Sequence, residues 1–218
     1  LFVLGEANCT VHGANRLGAN ALLQCLADGY FIVPPTITAW LAGQTEKSSS
    51  SAIESACKDA LSTTQKRIET LLKINGSVPV DVYHRKLGQV MSTRCGIIRN
   101  ENGLKSGLKE VKILQNQFQQ DVRVPSAVNC PNLELEKALR LEDFLELAEL
   151  ILTDAISREE SCGAHFRDEY QTTDGEAMRD DENFSHIAAW EYVKGSKPIK
   201  HLEPLQFTNL QQNVRSYQ

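Results

Sequence analysis

Much of what marks a familiar function is missing from this chain, and each absence closes off a class. No apolar run approaches the roughly 18 residues that a membrane-crossing helix needs, so any membrane contact has to come through a partner. Basic residues are not in excess: the net charge is −5, which argues against a nucleic-acid surface. The six cysteines, Cys9, Cys25, Cys57, Cys95, Cys130 and Cys162, contain no C-x-x-C pair and read as reduced thiols in a cytosolic setting. There is no phosphate loop, no Ser or Cys nucleophile with a positioned base, and no internal repeat. A signal-peptide n-region and cleavage site are also lacking, and the chain opens on Leu1 inside what reads as a strand. The expectation is a piece that lacks its N-terminal part, with Leu1 to Leu4 as an unpaired edge.

What is present is ordinary globular material: 218 residues, 41% hydrophobic and 23% charged, enough for one large or two small cores. Leu1-Phe2-Val3-Leu4 predicts a short buried strand, and Gly18 to Val33 a helix whose first turn is built from small residues. Gln44 to Ser51, with four serines in succession, reads as a linker. Ala52 to Ile74 predicts an amphipathic surface helix stopped at Asn75-Gly76. Apolar residues between Val80 and Ile98 recur at steps of three and four, and Asn100-Glu101-Asn102-Gly103 interrupts them. Leu104, Leu108, Val111, Leu114 and Phe118 then mark the buried stripe of a second helix, packed antiparallel on the first. Pro125 and Pro131 bracket an irregular connection. Leu133 to Ile156, apolar on nearly every side, predicts a helix surrounded by others, so the middle of the chain is a small bundle. From about Ser157 onward the chain predicts a loop-dominated tail wrapped on that bundle, with Trp190, Tyr192 and Val193 as its strand-like cluster.

Chemistry concentrates in residues 5–22. Glu6 follows a glycine at the end of the predicted strand, where a carboxylate either accepts hydrogen bonds from sugar or ribityl hydroxyls or simply caps and faces solvent. Arg16 lies in a loop between Gly13 and Gly18, so its planar fork can reach a carboxylate, or alternatively tie loop carbonyls together. His12 is near enough to assist. Gly18-Ala19-Asn20-Ala21-Leu22 presents free N–H groups at a helix start, suited to negative charge or to close packing. In the tail, the charges from Ser157 to Arg167 and from Arg179 to Asn183 are either solvated or an ion-paired loop docked on another domain. Cys162 and His165 alone do not supply a zinc ligand set.

Gly5-Glu6, His12 to Gly18 and Asn20-Ala21-Leu22 together resemble the second FAD-binding motif of the flavoprotein subunit of succinate dehydrogenase and fumarate reductase. Ser157-Arg158, Glu160-Ser161, Gly163-Ala164-His165, Arg167 and Arg179-Asp180-Asp181-Glu182-Asn183 are independently similar to that family's C-terminal signature. The resemblance spans the whole chain and corresponds to the last third of such a subunit. It implies a mixed, predominantly α fold: residues 1–45 as the terminal strand-helix piece of an FAD-binding α/β domain, 46–156 as a helix bundle, 157–218 as a loop-rich C-terminal domain. It also implies that Glu6 binds the sugar or ribityl part of FAD, that Asn20, Ala21 and Leu22 line the cofactor site, and that Arg16 holds a carboxylate of succinate or fumarate. Hydride transfer to flavin, an iron-sulfur partner leading to a membrane anchor and quinone, and a cytoplasmic place at the inner face of the cell membrane follow from the same likeness. The residues that transfer protons and attach the flavin are not among these 218. Departures are Ala21 for a common Ser, Cys162 for Arg, Gln171 for Pro and Phe184 for Trp. L-Aspartate oxidase and soluble fumarate reductase share the flavin motif, and a non-catalytic subunit-docking module is the alternative from another class.

Overall fold

A computed structural model describes residues 2–8, 12–44, 50–125, 131–193, 195–209 and 211–213. Seven α-helices occur among them: α1 (Asn20–Ala27), α2 (Val33–Ala42), α3 (Ser50–Ile74), α4 (Val80–Arg94), α5 (Glu101–Asp121), α6 (Leu133–Ser157) and α7 (Asp181–Phe184). The chain divides into two compact units, one of residues 1–47, 160–166 and 170–218, the other of 48–159 and 167–169.

The second unit is the bundle, and its core is the predicted stripes brought together. Leu104, Val111, Leu114 and Phe118 of α5 are buried with Leu87 and Val90 of α4 and Leu141, Leu145 and Leu152 of α6. Tyr83, near the start of α4, meets Phe118, near the end of α5, edge to face at 5.6 Å and donates its hydroxyl to the Gln117 carbonyl at 3.0 Å. At the other end Gly107 of α5 lies under Arg94 of α4, so the two helices run antiparallel. Asn100 caps α5 by accepting the Gly103 N–H at 2.7 Å, and Asn132 caps α6 through the Leu135 N–H. The α3 stop falls at Asn75 in the left-handed region (φ 46°). There Gly76 presses so closely on Asp121 that a Cβ would sit 2.1 Å from its carbonyl carbon. This contact lets Val78–Pro79 pair in parallel with Val122–Arg123.

Two readings of the bundle change. Helix α4 ends at Arg94, and Ile98, outside it, is exposed. Helix α6 is buried along one face only: Ala138, Leu141, Leu145, Ala148, Leu152 and Ala155 face the core, whereas Phe144, Leu147 and Ile151 are exposed. Leu135, Leu139 and Ile156 pack against the edge of that core, and Phe144, though exposed, stacks on His84 of α4 at 6.0 Å.

Residues 167–169 of the tail join the bundle, Arg167 the most deeply buried of them. Its side chain is 2% exposed, and it donates to the carbonyls of Ala155 (3.1 Å) and Arg158 (3.3 Å) at the end of α6, where the helix dipole favours a cation. Its Nε also pairs with Glu169, whose other oxygen accepts the Glu101 N–H at the start of α5. Burial alone would raise the Glu169 pKa, but the bonds from the Glu101 amide and Arg167 outweigh it and hold the carboxyl below its ordinary value.

In the first unit, Leu4 is extended, but Phe2–Leu4 form no ladder, and Leu1 lies outside the described residues. A strand requires a partner for its N–H and C=O groups, and no neighbouring strand is present among the described residues. The predicted helix begins at Asn20 and continues past Val33 to Ala42. It widens over Asp28–Ile32, where the Val33 N–H bonds the Asp28 carbonyl five residues back. Pro34 and Pro35 follow at once; a proline ring crowds the carbonyl four residues earlier, and the wider turn relieves that clash. Most of the predicted linker, residues 45–49, lies outside the described residues, while Ser50 and Ser51 already belong to α3. Cys9, Cys130 and the centre of the Pro125–Pro131 connection also lie outside the described residues.

Most of the tail belongs to this first unit. Its strand cluster is an antiparallel hairpin, His186–Glu191 with Ile199–Pro204, in which Trp190 faces Lys200 across the ladder and Tyr192 and Val193 lie beyond its end.

Candidate functional site

The site predicted from residues 5–22 is held together by a short 3-10 turn, Gly5–Ala7, pressed onto α1. Gly5 adopts φ +65° and donates its N–H to Asp28 Oδ2 at 2.9 Å; a Cβ there would lie 3.2 Å from the Cys25 Cβ. Only glycine combines that backbone angle with that approach. The turn carries Glu6 outward, and Arg16 comes back to it from the following loop: Nε donates to Glu6 Oε1 at 2.9 Å. A weaker 3.4 Å contact runs from the Arg16 guanidinium to the Leu17 carbonyl. The two side chains are 56% and 41% exposed, so the pair contributes at most about 1 kcal/mol. An ion pair this weak exchanges easily for a stronger partner.

Space flanks the guanidinium on both sides in sequence. A Cβ added to Gly13 or Gly18 would meet nothing within 4 Å. Beyond Gly18, Ala19 takes a left-handed conformation (φ 65°) and the Asn20 N–H bonds the Leu17 carbonyl at 3.3 Å. No side chain caps α1. The amides of Ala21 and Leu22 sit in the first turn, where the helix itself offers no acceptor. Ala21 is half-buried, while Asn20 and Leu22 are exposed. His12 Nε2 and, one turn into α1, Gln24 Oε1 are buried with no hydrogen-bond partner among the described residues. Sequence reading placed His12 as an assistant and passed over Gln24 altogether; a mid-helix glutamine carries no motif signal.

The structure therefore brings Glu6 and Arg16 together and places Asn20, Ala21 and Leu22 on the uncapped turn that follows. Together these groups offer a carboxylate acceptor, a guanidinium fork, backbone donors at the positive end of a helix, and two orphaned polar atoms.

The tail supplies a second ordered cluster in the same unit. Glu160 and Ser161 are buried: the Ser161 N–H bonds the Met178 carbonyl at 2.9 Å, and Glu160 accepts the Asp180 N–H at 3.0 Å. Arg179 forms a two-pronged pair with Asp181, which raises its pKa, and donates to the Asn213 carbonyl at 3.0 Å. Asp180 caps α7 through the Asn183 N–H, and the Asn183 side chain and amide hold its pKa below the ordinary value. The charges from Arg179 to Asn183 are thus an ion-paired, capped structure and not a solvated run. Among the described residues no helix is long and apolar enough to cross a membrane.

Comparison with known proteins gives a consistent result. Residues 84–217 match the family described as "Fumarate reductase flavoprotein C-term". The fumarate reductase flavoprotein subunit of Haemophilus influenzae is 30% identical over 219 residues, covering 100% of this chain and 34% of that protein. The succinate dehydrogenase flavoprotein subunit of Bacillus subtilis is 24% identical over 192 residues, 88% of this chain and 32% of that protein. An E. coli quinol fumarate reductase mutant superposes with a TM-score of 0.80 at 25% identity, covering 98% of this chain and 35% of that one. Mycobacterium smegmatis Sdh1 shares the fold at a TM-score of 0.72 and 23% identity, over 95% of this chain and 33% of its own. The chain spans about a third of the length of the curated relatives it matches.

Proposed function

This chain belongs to the fumarate reductase flavoprotein C-terminal family, and from that membership we propose that it forms the last third of an FAD-dependent enzyme interconverting succinate and fumarate. In this reading residues 1–45 close an FAD-binding domain, 46–156 form a helical bundle domain, and 157–218 are a C-terminal domain. Bound FAD would supply the two-electron acceptor for the hydride. Arg16 would fix one carboxylate of the dicarboxylate through its fork, exchanging Glu6 for a substrate oxygen pair. Glu6, so released, would accept from hydroxyls of the cofactor's sugar or ribityl chain. Asn20, Ala21 and Leu22 would face the ring's electron-rich edge with first-turn N–H groups, and Ala21 serves as well as a serine because the contact is through backbone. Electrons would leave through an iron-sulfur subunit toward a membrane anchor and quinone, with the flavoprotein peripheral at the inner face of the cell membrane.

The observation that carries this reading is the weak, exposed Glu6–Arg16 pair beside an uncapped helix and between two glycines with open space. Its test is Arg16→Ala in the complete flavoprotein. Losing two charge-assisted hydrogen bonds, at about 1.5 kcal/mol or more each, lowers kcat/KM for succinate about 100-fold or more, with FAD content unchanged. Normal turnover with normal FAD would remove Arg16 from the substrate site. A second reading, a partner-docking module, draws on the exposed Phe144, Leu147 and Ile151 of α6. FAD added to the purified 218-residue chain separates the two: stoichiometric yellow, catalytically competent protein would exclude a purely docking role.

A further inference from the structure

The tail turn Cys162–His165 touches the loop that carries Arg16. The turn is closed by two backbone bonds, Cys162 N–H to the His165 carbonyl at 2.8 Å and His165 N–H to the Cys162 carbonyl at 3.1 Å. Gly163 at its first corner takes φ +61°, the position and sign that a type II′ turn reserves for glycine. Turn chemistry alone explains the residue type, but the surroundings add a second demand. A Cβ on Gly163 would lie 2.3 Å from the Ala14 carbonyl oxygen, 2.7 Å from its carbon and 2.9 Å from the Ala14 Cβ. The bare α-carbon of the turn therefore rests against the backbone of the Arg16 loop, two residues before the arginine.

We propose that Gly163 is a positioning residue for Arg16: the Cys162–His165 turn is the buttress against which residues 13–16 set the height of the guanidinium in the dicarboxylate site. The proposal rests on the reading of Arg16 as the carboxylate-binding group. A Cβ on Gly13 or Gly18 would meet nothing within 4 Å, so neither loop glycine is pressed against a neighbour as Gly163 is. Ordinary contact begins at 3.4 Å, so a methyl group on Gly163 forces the Ala14 carbonyl back by about 1 Å. A shift of that size in a substrate-orienting group costs on the order of tenfold to a hundredfold in binding or rate. The tail signature thereby becomes part of substrate recognition through contact with the loop, without touching substrate itself.

The test uses the complete flavoprotein, with malonate as the probe and its perturbation of the flavin spectrum as the readout, alongside succinate KM, kcat and FAD content. Gly163→Ala is compared with Gly175→Ala, which also places a side chain at positive φ (+80°) in the same unit but whose Cβ meets only the tip of Gln171 at 3.9 Å. We expect Gly163→Ala to raise the malonate Kd and succinate KM about tenfold or more, and Gly175→Ala to leave both within about twofold. Should Gly163→Ala fail to accumulate as folded protein, Ala14→Val crowds the same contact from the loop side at a position without positive φ, and the same rise is expected. Arg16→Ala runs in parallel. If it abolishes malonate binding while Gly163→Ala and Ala14→Val bind as Gly175→Ala does, the buttress is refuted and the role of Arg16 stands. If Arg16→Ala binds malonate normally, the reading of Arg16 fails and the buttress falls with it.

Discussion

Replacing Arg167 with methionine is the sharpest test of how the bundle is tied together. The guanidinium is 2% exposed and satisfies two carbonyls at the end of α6, from Ala155 and Arg158, while pairing with Glu169 at 3.1 Å. Methionine keeps the stem volume and removes every donor. Two hydrogen bonds from a charged donor are worth about 1.5 kcal/mol each, and the ion pair adds under about 1 kcal/mol because Glu169 is 39% exposed. The expected loss is therefore about 3 kcal/mol, which for a cooperative unit of about 100 residues lowers the thermal midpoint by about 12 °C. Urea unfolding followed by circular dichroism should show the same loss as a lower midpoint with unchanged slope. Arg167→Lys should recover less than half, since a compact ammonium cannot span acceptors that a planar fork reaches. A midpoint shift for Arg167→Met of less than about 3 °C, under about 1 kcal/mol, would show that the carbonyls find other partners and that the capping argument is wrong.

Glu169 has a lowered pKa in the folded state, so its contribution is fully present above the ordinary carboxylate value and is lost as pH falls through the lowered one. Urea midpoints measured from neutral pH into that acid range should decline, and Glu169→Gln should flatten part of the decline; an identical pH profile for the variant would disprove the linkage. Burial pushes the Cys95 thiol pKa up, against a smaller opposing effect of Arg99, whereas Cys25 and Cys57 are exposed. Iodoacetamide at neutral pH should therefore label Cys25 and Cys57 well before Cys95, read by peptide mass mapping; early labelling of Cys95 would contradict its burial.

Local pattern carried most of the helical unit. The periodic apolar residues of α5, the Asn75-Gly76 stop and the span of α6 were all legible, because a helix face and its ends are set by residues within a turn or two of one another, whereas Asn100 to Gly103, read as an interruption, is the cap and first turn of α5. The same locality misled in places. The α6 sequence is apolar around much of its circumference, and only the arrangement of α4 and α5 determines that Leu141 and Leu145 are covered while Phe144 and Leu147 are not. Apolar Leu1-Phe2-Val3-Leu4 has strand composition, but a ladder belongs to two segments, and no strand lies alongside it among the described residues.

The site divides along the same line. Sequence alone established the ingredients, a glycine-flanked arginine, a carboxylate after a glycine and a small-residue helix start, because these are matters of residue type and spacing within eighteen positions. That Arg16 closes on Glu6, that Gly163 reaches across the chain to seat against Ala14, and that Arg167 caps the end of α6 were decided by tertiary structure. Contacts between distant segments depend on how whole elements pack, and no short window of sequence encodes that geometry.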